Sequence, residues 1–315
     1  MTDSPQPATA SGPKGSFGSI KKPYLIGAVV LVIFIGVAAI FGPALARNIQ
    51  LMNEFSDAYI YKSNGESGDL YTFGLFGISP VRTGDGEITG YAKGDAAEVV
   101  VIRYPDSTRI DLVSGGVEGR VIISNDEVKE SLSVSPDGEW VAYAVLTGEA
   151  SGELASWTVR ASRIADGEMV EFGPGYGPQF FTKNGEDLLF FTAPEGIAVV
   201  DLETRTGFTT TFPTGDTLEY PLIVSPDGSY VLQRDERTGD YFVFTLEALE
   251  PFATLNPVGT LPGTLRAPAF RNGSLYGFEP SDEGVALVRI IPTDLTSRET
   301  RYVFTDTSFD YRLIP

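Results

Sequence analysis

The phrase VSPDG occurs twice in this chain, at Val134–Gly138 and Val224–Gly228, and both copies run on into an aromatic residue and apolar positions, as VSPDGEWVAYAV and VSPDGSYVLQRD. Weaker relatives share the plan of apolar run, turn glycine, apolar run. They are YAKGDAAEVVVIRY at Gly94, FFTKNGEDLLFFT at Gly185 and AFRNGSLYGFE at Gly273. The turn glycines Gly94, Gly138, Gly185, Gly228 and Gly273 are spaced by 44, 47, 43 and 45 residues. A period near 45 holding several strands is the mark of a propeller blade, a unit that buries its faces only by stacking on its neighbours.

Turn chemistry agrees. In Ser135-Pro136-Asp137-Gly138 and Ser225-Pro226-Asp227-Gly228 the proline presets φ, the aspartate suits the third position and the glycine accepts positive φ. Asn184-Gly185 and Asn272-Gly273 reverse the chain with the other common turn pair. All of these residues are read as turn formers and none as a catalyst.

Each unit divides into four strands. One is expected over Asp187–Thr192, Ile197–Leu202 and Thr209–Phe212, with Pro221–Val224 as the next innermost strand. Its successor gives Tyr230–Arg234, Tyr241–Leu246 and Ala253–Leu255, then Ala267–Phe270. Runs such as YFVFTL and IAVVDL are apolar on both faces, as strands held between two neighbours must be. The 268 residues from Asn48 to Pro315 accommodate about six units. The unit over Asp57–Gly90 lacks an inner strand of its own, and Phe309–Ile314 is expected to supply it and close the ring. The expected fold is all-β: a six-bladed β-propeller of four-stranded antiparallel blades, preceded by a single transmembrane helix.

That helix is read from Tyr24–Ala46, which holds no charged residue and is long enough to cross a hydrocarbon core of about 30 Å. Lys14, Lys21 and Lys22 precede it and Arg47 follows, which places the N-terminus in the cytoplasm of a bacterium and the propeller outside the cytoplasmic membrane. Ala44-Leu45-Ala46 also fits a signal-peptide cleavage site, but the 18-residue apolar run from Tyr24 to Phe41 exceeds the usual core of such peptides. The domain expectation is a disordered tail over 1–20, a signal-anchor over 21–47 and the propeller over 48–315. Ala38, Gly42 and Ala46, four apart, would let another membrane helix approach closely, although ordinary membrane-helix composition gives the same pattern. Pro43 is expected to end or kink the helix.

The chain has no cysteine and no histidine. Disulfides, covalent haem attachment, iron–sulfur clusters, Cys/His zinc sites and Ser-His-Asp or Cys-His catalysis are thereby excluded. Carboxylate, Lys or Tyr chemistry and oxygen-ligated metals are left. The net charge is −19, and the first 47 residues contribute +3, so the remainder is about −22 and repels nucleic acid. A sialidase-type SxDxGxxW box is not met, because Ser135, Asp137, Gly138 and Trp140 fall one residue short at both the Gly and the Trp step. Ser63–Asp69 and Arg234–Asp240 are acidic loops that suit Ca²⁺ in composition but lack EF-hand spacing, and they read as hairpin tips. Phe172–Phe180 is glycine-rich without the GK[ST] of a phosphate loop. Asn272-Gly273-Ser274 is a formal glycosylation sequon inside a tight turn. Trp140 and Trp157 are expected between blades. No cofactor is expected.

The SPDG phrase followed by an aromatic and alternating apolar residues resembles the TolB-type, WD-repeat-like propeller repeat. The likeness is specific at Ser135–Gly138 and Ser225–Gly228, degenerate at Lys183–Gly185 and Arg271–Gly273, and weak at Gly94. It covers the chain from about Asn48 onward. Where TolB has a companion domain this chain has its apolar segment, so TolB's own function is not carried over. What the resemblance implies is a rigid, disc-like platform that binds other proteins. The functional expectation is a non-catalytic scaffold or accessory subunit of a larger bacterial membrane complex, with respiratory and photosynthetic assemblies among the hosts. Its partners would be other membrane or periplasmic proteins. The alternatives are an envelope ligand-binding sensor or carboxylate-based glycan-active enzyme using the propeller channel, and a signal-transducing anchor.

Overall fold

Strands that are apolar on both faces need a sheet on either side, and the ring provides this six times. In a computed structural model, residues 42–315 are described, apart from 65–67, 76, 83–86, 95–96, 105–106, 115–116, 149–153, 195, 211–221, 236, 249–253 and 315. The chain divides into two units, Met1–Asn48 and Ile49–Pro315, and the second contains the whole ring.

Blade 1 holds β1 (Tyr59–Ser63), β2 (Gly68–Gly74) and β3 (Gly77–Arg82). Blade 2 holds β4 (Glu87–Lys93), β5 (Glu98–Tyr104), β6 (Ser107–Ser114) and β7 (Val117–Asn125). Blade 3 holds β8 (Lys129–Val134), β9 (Trp140–Leu146), β10 (Trp157–Arg163) and β11 (Met169–Pro174). Blade 4 holds β12 (Tyr176–Lys183), β13 (Glu186–Ala193), β14 (Gly196–Asp201) and β15 (Thr206–Thr210). Blade 5 holds β16 (Ile223–Val224), β17 (Tyr230–Arg234), β18 (Tyr241–Ala248) and β19 (Thr254–Leu261). Blade 6 holds β20 (Arg266–Arg271), β21 (Ser274–Ser281), β22 (Gly284–Ile291) and β23 (Asp294–Phe304). The last strand, β24 (Asp310–Ile314), returns to blade 1 and pairs antiparallel with β1 from Tyr59↔Ile314 to Ser63↔Asp310. Every sheet is four-stranded and antiparallel, and β24 is the inner strand that blade 1 lacked.

Six buried clusters fill the six seams between blades. Strand β9 shows how one strand serves two of them. Val141, Tyr143 and Val145 join blade 2, while Trp140 and Ala142 join blade 4. Strand β13 does the same, with Phe190 toward blade 5 and Leu189 and Phe191 toward blade 3. Trp140 and Trp157 are both buried, the second in edge contact with Tyr176 of blade 4.

The turns divide by chemistry. Asn184-Gly185 and Asn272-Gly273 both have positive φ at the two central positions, the type I′ geometry that matches strand twist. The SPDG turns are longer and internally bonded. Gly138 and Gly228 donate their amides to the Ser135 and Ser225 carbonyls, both at 2.8 Å, and both glycines have positive φ.

One sequence expectation changes, and others reach beyond the described residues. Strand β19 runs to Leu261 where only Ala253–Leu255 was expected. Two register shifts against β18 let this edge strand carry Asn256-Pro257 and Gly259, which interrupt the apolar pattern. Strand β15 ends at Thr210, and the rest of its expected span lies outside the described residues. A helix covers residues 42–54 with Pro43 in its first turn; the residues before 42, on which the expected end or kink at Pro43 bears, lie outside the described ones. At its C-terminal end Leu51 and, one residue past the helix, Phe55 bury themselves in the seam between blades 6 and 1. Among the described residues no helix is long and apolar enough to cross a membrane. The expected span lies outside the described residues up to 41, Ala38 with it, while Gly42 and Ala46 lie in the helix.

Candidate functional site: an axial cup and the mount beside it

In each antiparallel blade the turns from first to second and from third to fourth strand lie on one face of the ring, the proximal face. The second-to-third loops and the connections between blades lie on the other, the distal face. The chain enters the ring on the proximal face, because Tyr59 opposite Ile314 marks that end of β1.

A cup of about 750 Å³ opens on the axis at this face, and all six blades contribute to its wall. Three inner strands enter it through matching bulges. The register shifts between Glu130 and Ser133 in β8, between Tyr176 and Gln179 in β12, and between Arg266 and Ala269 in β20. Each bulge holds a residue with left-handed backbone: Ser131 at φ 51°, Gly177 at 68° and Ala267 at 44°. Non-glycine residues in that region cost of order 1 kcal/mol each and persist only where the surroundings impose them. The residues that follow, Leu132, Pro178 and Pro268, line the cup and make its wall apolar.

The wall is knitted by side chains reaching across blades 3 to 5. Phe180 donates its amide to Ser133 Oγ at 3.0 Å. Gln179 spans to blade 5 with both ends of its amide, donating to the Leu222 carbonyl at 2.6 Å and accepting from the Val224 amide at 3.0 Å. Thr192 Oγ1 accepts from the Leu222 amide at 3.0 Å.

The cup's charged side chains are already engaged. Asp57 is paired with Arg271, and Lys93 with Glu98 at 3.0 Å. Asp227 accepts from Ser225 Oγ at 2.6 Å and from the Ser229 amide at 3.0 Å. Burial works against ionisation of Asp57, but the Arg271 hydrogen bond and charge outweigh it and hold the carboxyl below its ordinary range. Burial likewise opposes ionisation of Asp227, and its turn donors outweigh it. Every carboxyl with a displaced titration among the described residues is displaced downward. Among the described residues no group of three or more carboxylates is placed to hold a metal ion.

Half of the turn residues singled out in the sequence, Ser225 among them, reach the cup's rim. Pro136, Pro226, Asp227, Asn272 and Gly273 line it, whereas Asn184 and Gly185 do not. Neighbouring turns touch. A Cβ on Gly94 would stand 2.6 Å from the Ser135 carbonyl oxygen, and Thr182 donates its amide to the Pro226 carbonyl at 2.8 Å. Asp137 is consumed inside its own turn, accepting from Ser135 Oγ and from the Glu139 amide at 2.9 Å. In the Arg234–Asp240 loop, Asp235 accepts from the Arg237 amide at 2.8 Å and Asp240 from the Gly263 amide at 2.7 Å, so these carboxylates brace the hairpin. The middle of the Ser63–Asp69 loop lies outside the described residues.

Beside the cup is an arrangement that carries no repeat signal. Arg271, with its side chain 6% exposed, donates to the Glu54 carbonyl at 3.1 Å and to Asp57. Arg301 donates to the Glu54 carboxylate, and Tyr276 adds its hydroxyl at 2.9 Å. Burial first, then the neighbouring Glu54, push the Tyr276 phenol up to about 12, so it stays a donor. Phe55 sits beneath them, 5.0 Å from Phe73 and 5.4 Å from Tyr276 between ring centres. Residues 51–57 are thus bolted to blades 6 and 1 by two arginines and an aromatic wedge. The spacing of Leu51 and Phe55 just after an apolar stretch was the one available hint.

No family model matches the chain, and no curated protein matches it in sequence. Solved structures do match in fold. TolB from Acinetobacter baumannii superposes with a TM-score of 0.54 at 16% identity, over 82% of this chain and 64% of that one. This chain therefore spans less than two thirds of the TolB chain. A putative 6-phosphogluconolactonase from Bacteroides fragilis gives 0.51 at 12% identity, over 80% of this chain and 83% of that one. At such identities the likeness is one of fold: a TolB-like six-bladed propeller.

Proposed function

We propose that this protein is a membrane-tethered, non-catalytic propeller that serves as an interaction scaffold or accessory subunit in a larger bacterial membrane complex. In this reading residues 21–47 anchor the chain, the N-terminus is cytoplasmic and the ring stands outside the cytoplasmic membrane. The mount carries the proposal. A flexible leash needs no buried arginines, whereas Arg271, Arg301 and Phe55 fix the segment ahead of β1 rigidly to the ring. Such stiffness serves a part that must be held at a set height and angle against a neighbour. The likeness to TolB is compatible with protein binding in general terms.

The test is to express the intact chain in bacteria, wash membranes with alkaline carbonate, and extract with a mild detergent. The chain should stay with the membrane and then migrate as part of an assembly larger than its own 33.9 kDa. Release by carbonate would end the tether, and migration as a lone chain would end the subunit role. A second reading, an envelope ligand-binding sensor, is favoured only by the apolar-walled cup of about 750 Å³. It requires a small amphipathic ligand whose binding raises the melting temperature of the chain.

A further inference from the structure

The charges of the cup are paired, but one of them is only half used. A guanidinium carries five N–H donors. In Arg271, Nη2 spends both of its own on the Glu54 carbonyl at 3.1 Å and on Asp57. Its Nε is buried with no acceptor, and among the described residues no group accepts from Nη1. The side chain is 6% exposed, and donors that deep are ordinarily satisfied, because an unmet one loses water without replacement. Arg271 lines the cup beside Asn272 and Gly273. An acceptor brought in by a ligand would complete its set.

The surroundings select the acceptor. Arg271 of blade 6 and Lys93 of blade 2 both lie within electrostatic reach of Asp57, which is 62% exposed at its side chain. This sector therefore already holds one carboxylate, and that carboxylate engages only one of the three Arg271 nitrogens. A dianion is opposed here by Asp57 and by Glu98, the partner of Lys93 at 3.0 Å, whereas a single negative charge is matched by the guanidinium.

The opposite wall is of another kind. From blades 3 to 5 the cup is lined by Leu132, Pro178, Ile223 and Tyr230 among hydroxyls and amides. The one charged side chain on that wall, Asp227, is taken up by its own turn. Tyr230 stacks on Phe270, the neighbour of Arg271 in sequence, with ring centres 6.2 Å apart. A cavity of about 750 Å³ with an apolar wall facing a cationic corner has the size and the polarity of a small-molecule site.

We infer that the cup binds a small monocarboxylate with an apolar body, its carboxylate taken by Arg271 and its body laid against Leu132, Pro178 and Tyr230. The inference rests on the second reading above, in which the cup takes a small amphipathic ligand, and it fixes the polar end of that ligand.

Three probes that share a body and differ at the head test it: 4-phenylbutyrate, 4-phenylbutanol and 4-phenylbutylamine. Binding to the full chain in mild detergent is read by titration calorimetry, with detergent alone as the blank. The acid should bind about tenfold more tightly than the alcohol, and the amine most weakly. Arg271→Lys should bring the acid down to the affinity of the alcohol. Because Arg271 also holds the mount, a second variant leaves it in place. Asp57→Asn removes the rival carboxylate and should tighten the acid several-fold while the alcohol stays unchanged. If the alcohol binds as tightly as the acid, or if Asp57→Asn fails to tighten the acid, the carboxylate end is wrong and the cup remains a site for small amphiphiles. If none of the three binds at about 1 mM, the reading of the cup as a ligand site falls and this inference with it.

Discussion

The seam between blades 4 and 5 and the seam between blades 6 and 1 are the same interface in the ring's geometry, and they are held in different ways. The first is a seam of the repeat. Phe181, Phe190 and Val199 meet Leu222, Val224 and Val231, and one amide, Gln179, ties the inner strands together. The second has to join the first and last strands of the ring. It adds a helix end, a set of aromatic contacts around Phe55, Phe304 and Tyr311, and the pairs of Arg271 and Arg301 with Asp57 and Glu54. Inner seams follow from the repeat, whereas a closing seam must be built from residues that occur once. For that reason the closing seam should be the more costly to damage.

Substitution at the wedge should have the largest effect. Phe55→Ala removes a ring that is 1% exposed and should cost about 3–5 kcal/mol, read as a lowered urea midpoint. Glu54→Gln comes next. It leaves Arg301, 9% exposed at its side chain, with Glu299 as its remaining carboxylate, and should cost about 1–3 kcal/mol, discounted from the 3–5 of a fully buried pair. Hydrogen exchange should then rise first at β1 and β24, not at β16, and a uniform rise would dissolve the contrast between seams. Gly228→Ala strains a residue at φ 64° whose new Cβ meets Phe181 at 2.7 Å, and about 1–3 kcal/mol of melting stability should be lost. Gln179→Ala strands the Leu222 carbonyl and the Val224 amide, so about 1–3 kcal/mol is expected, with the rise in exchange confined to blade 5. A loss as large as that of Phe55→Ala would reverse the ranking of the seams.

The smallest effect is one of pH. Asp227 and Asp57 have native carboxyls held below their unfolded value of roughly 3.9. Their contribution is fully present above that value and is lost as pH falls through the native one. Asp227→Asn should therefore narrow its gap to the wild type between neutral pH and the acid range below about 4, and Asp57→Asn should do likewise at the closing seam. A gap that stays constant on acid titration would remove these carboxylates from the account.

The ring itself was readable because repetition multiplies weak signals. Five turn glycines, each ambiguous alone, fix a period together, and the deficit of one inner strand before Asp57 points to Phe309–Ile314 at the other end. The bulges at Ser131, Gly177 and Ala267 were not readable. Serine and alanine at positive φ are imposed by the packed ring and not by local preference. The mount escaped for a different reason. Glu54, Asp57, Arg271 and Arg301 come together across more than 200 residues of separation, and nothing in a lone arginine announces its distant acid.

The pairing of β24 with β1 also has a consequence for how such a protein is made. A ribosome delivers β1 early, and its inner edge stays bare until residues 310–314 emerge some 250 residues later. The nascent ring is therefore an open spiral until that strand arrives, and it can close only then. A product truncated before β24 keeps five nearly complete blades and one raw strand edge, which is the kind of surface that chaperones hold and proteases cut. Closure thus acts as a check on the ring, in which β24 certifies that every blade between it and β1 has been made.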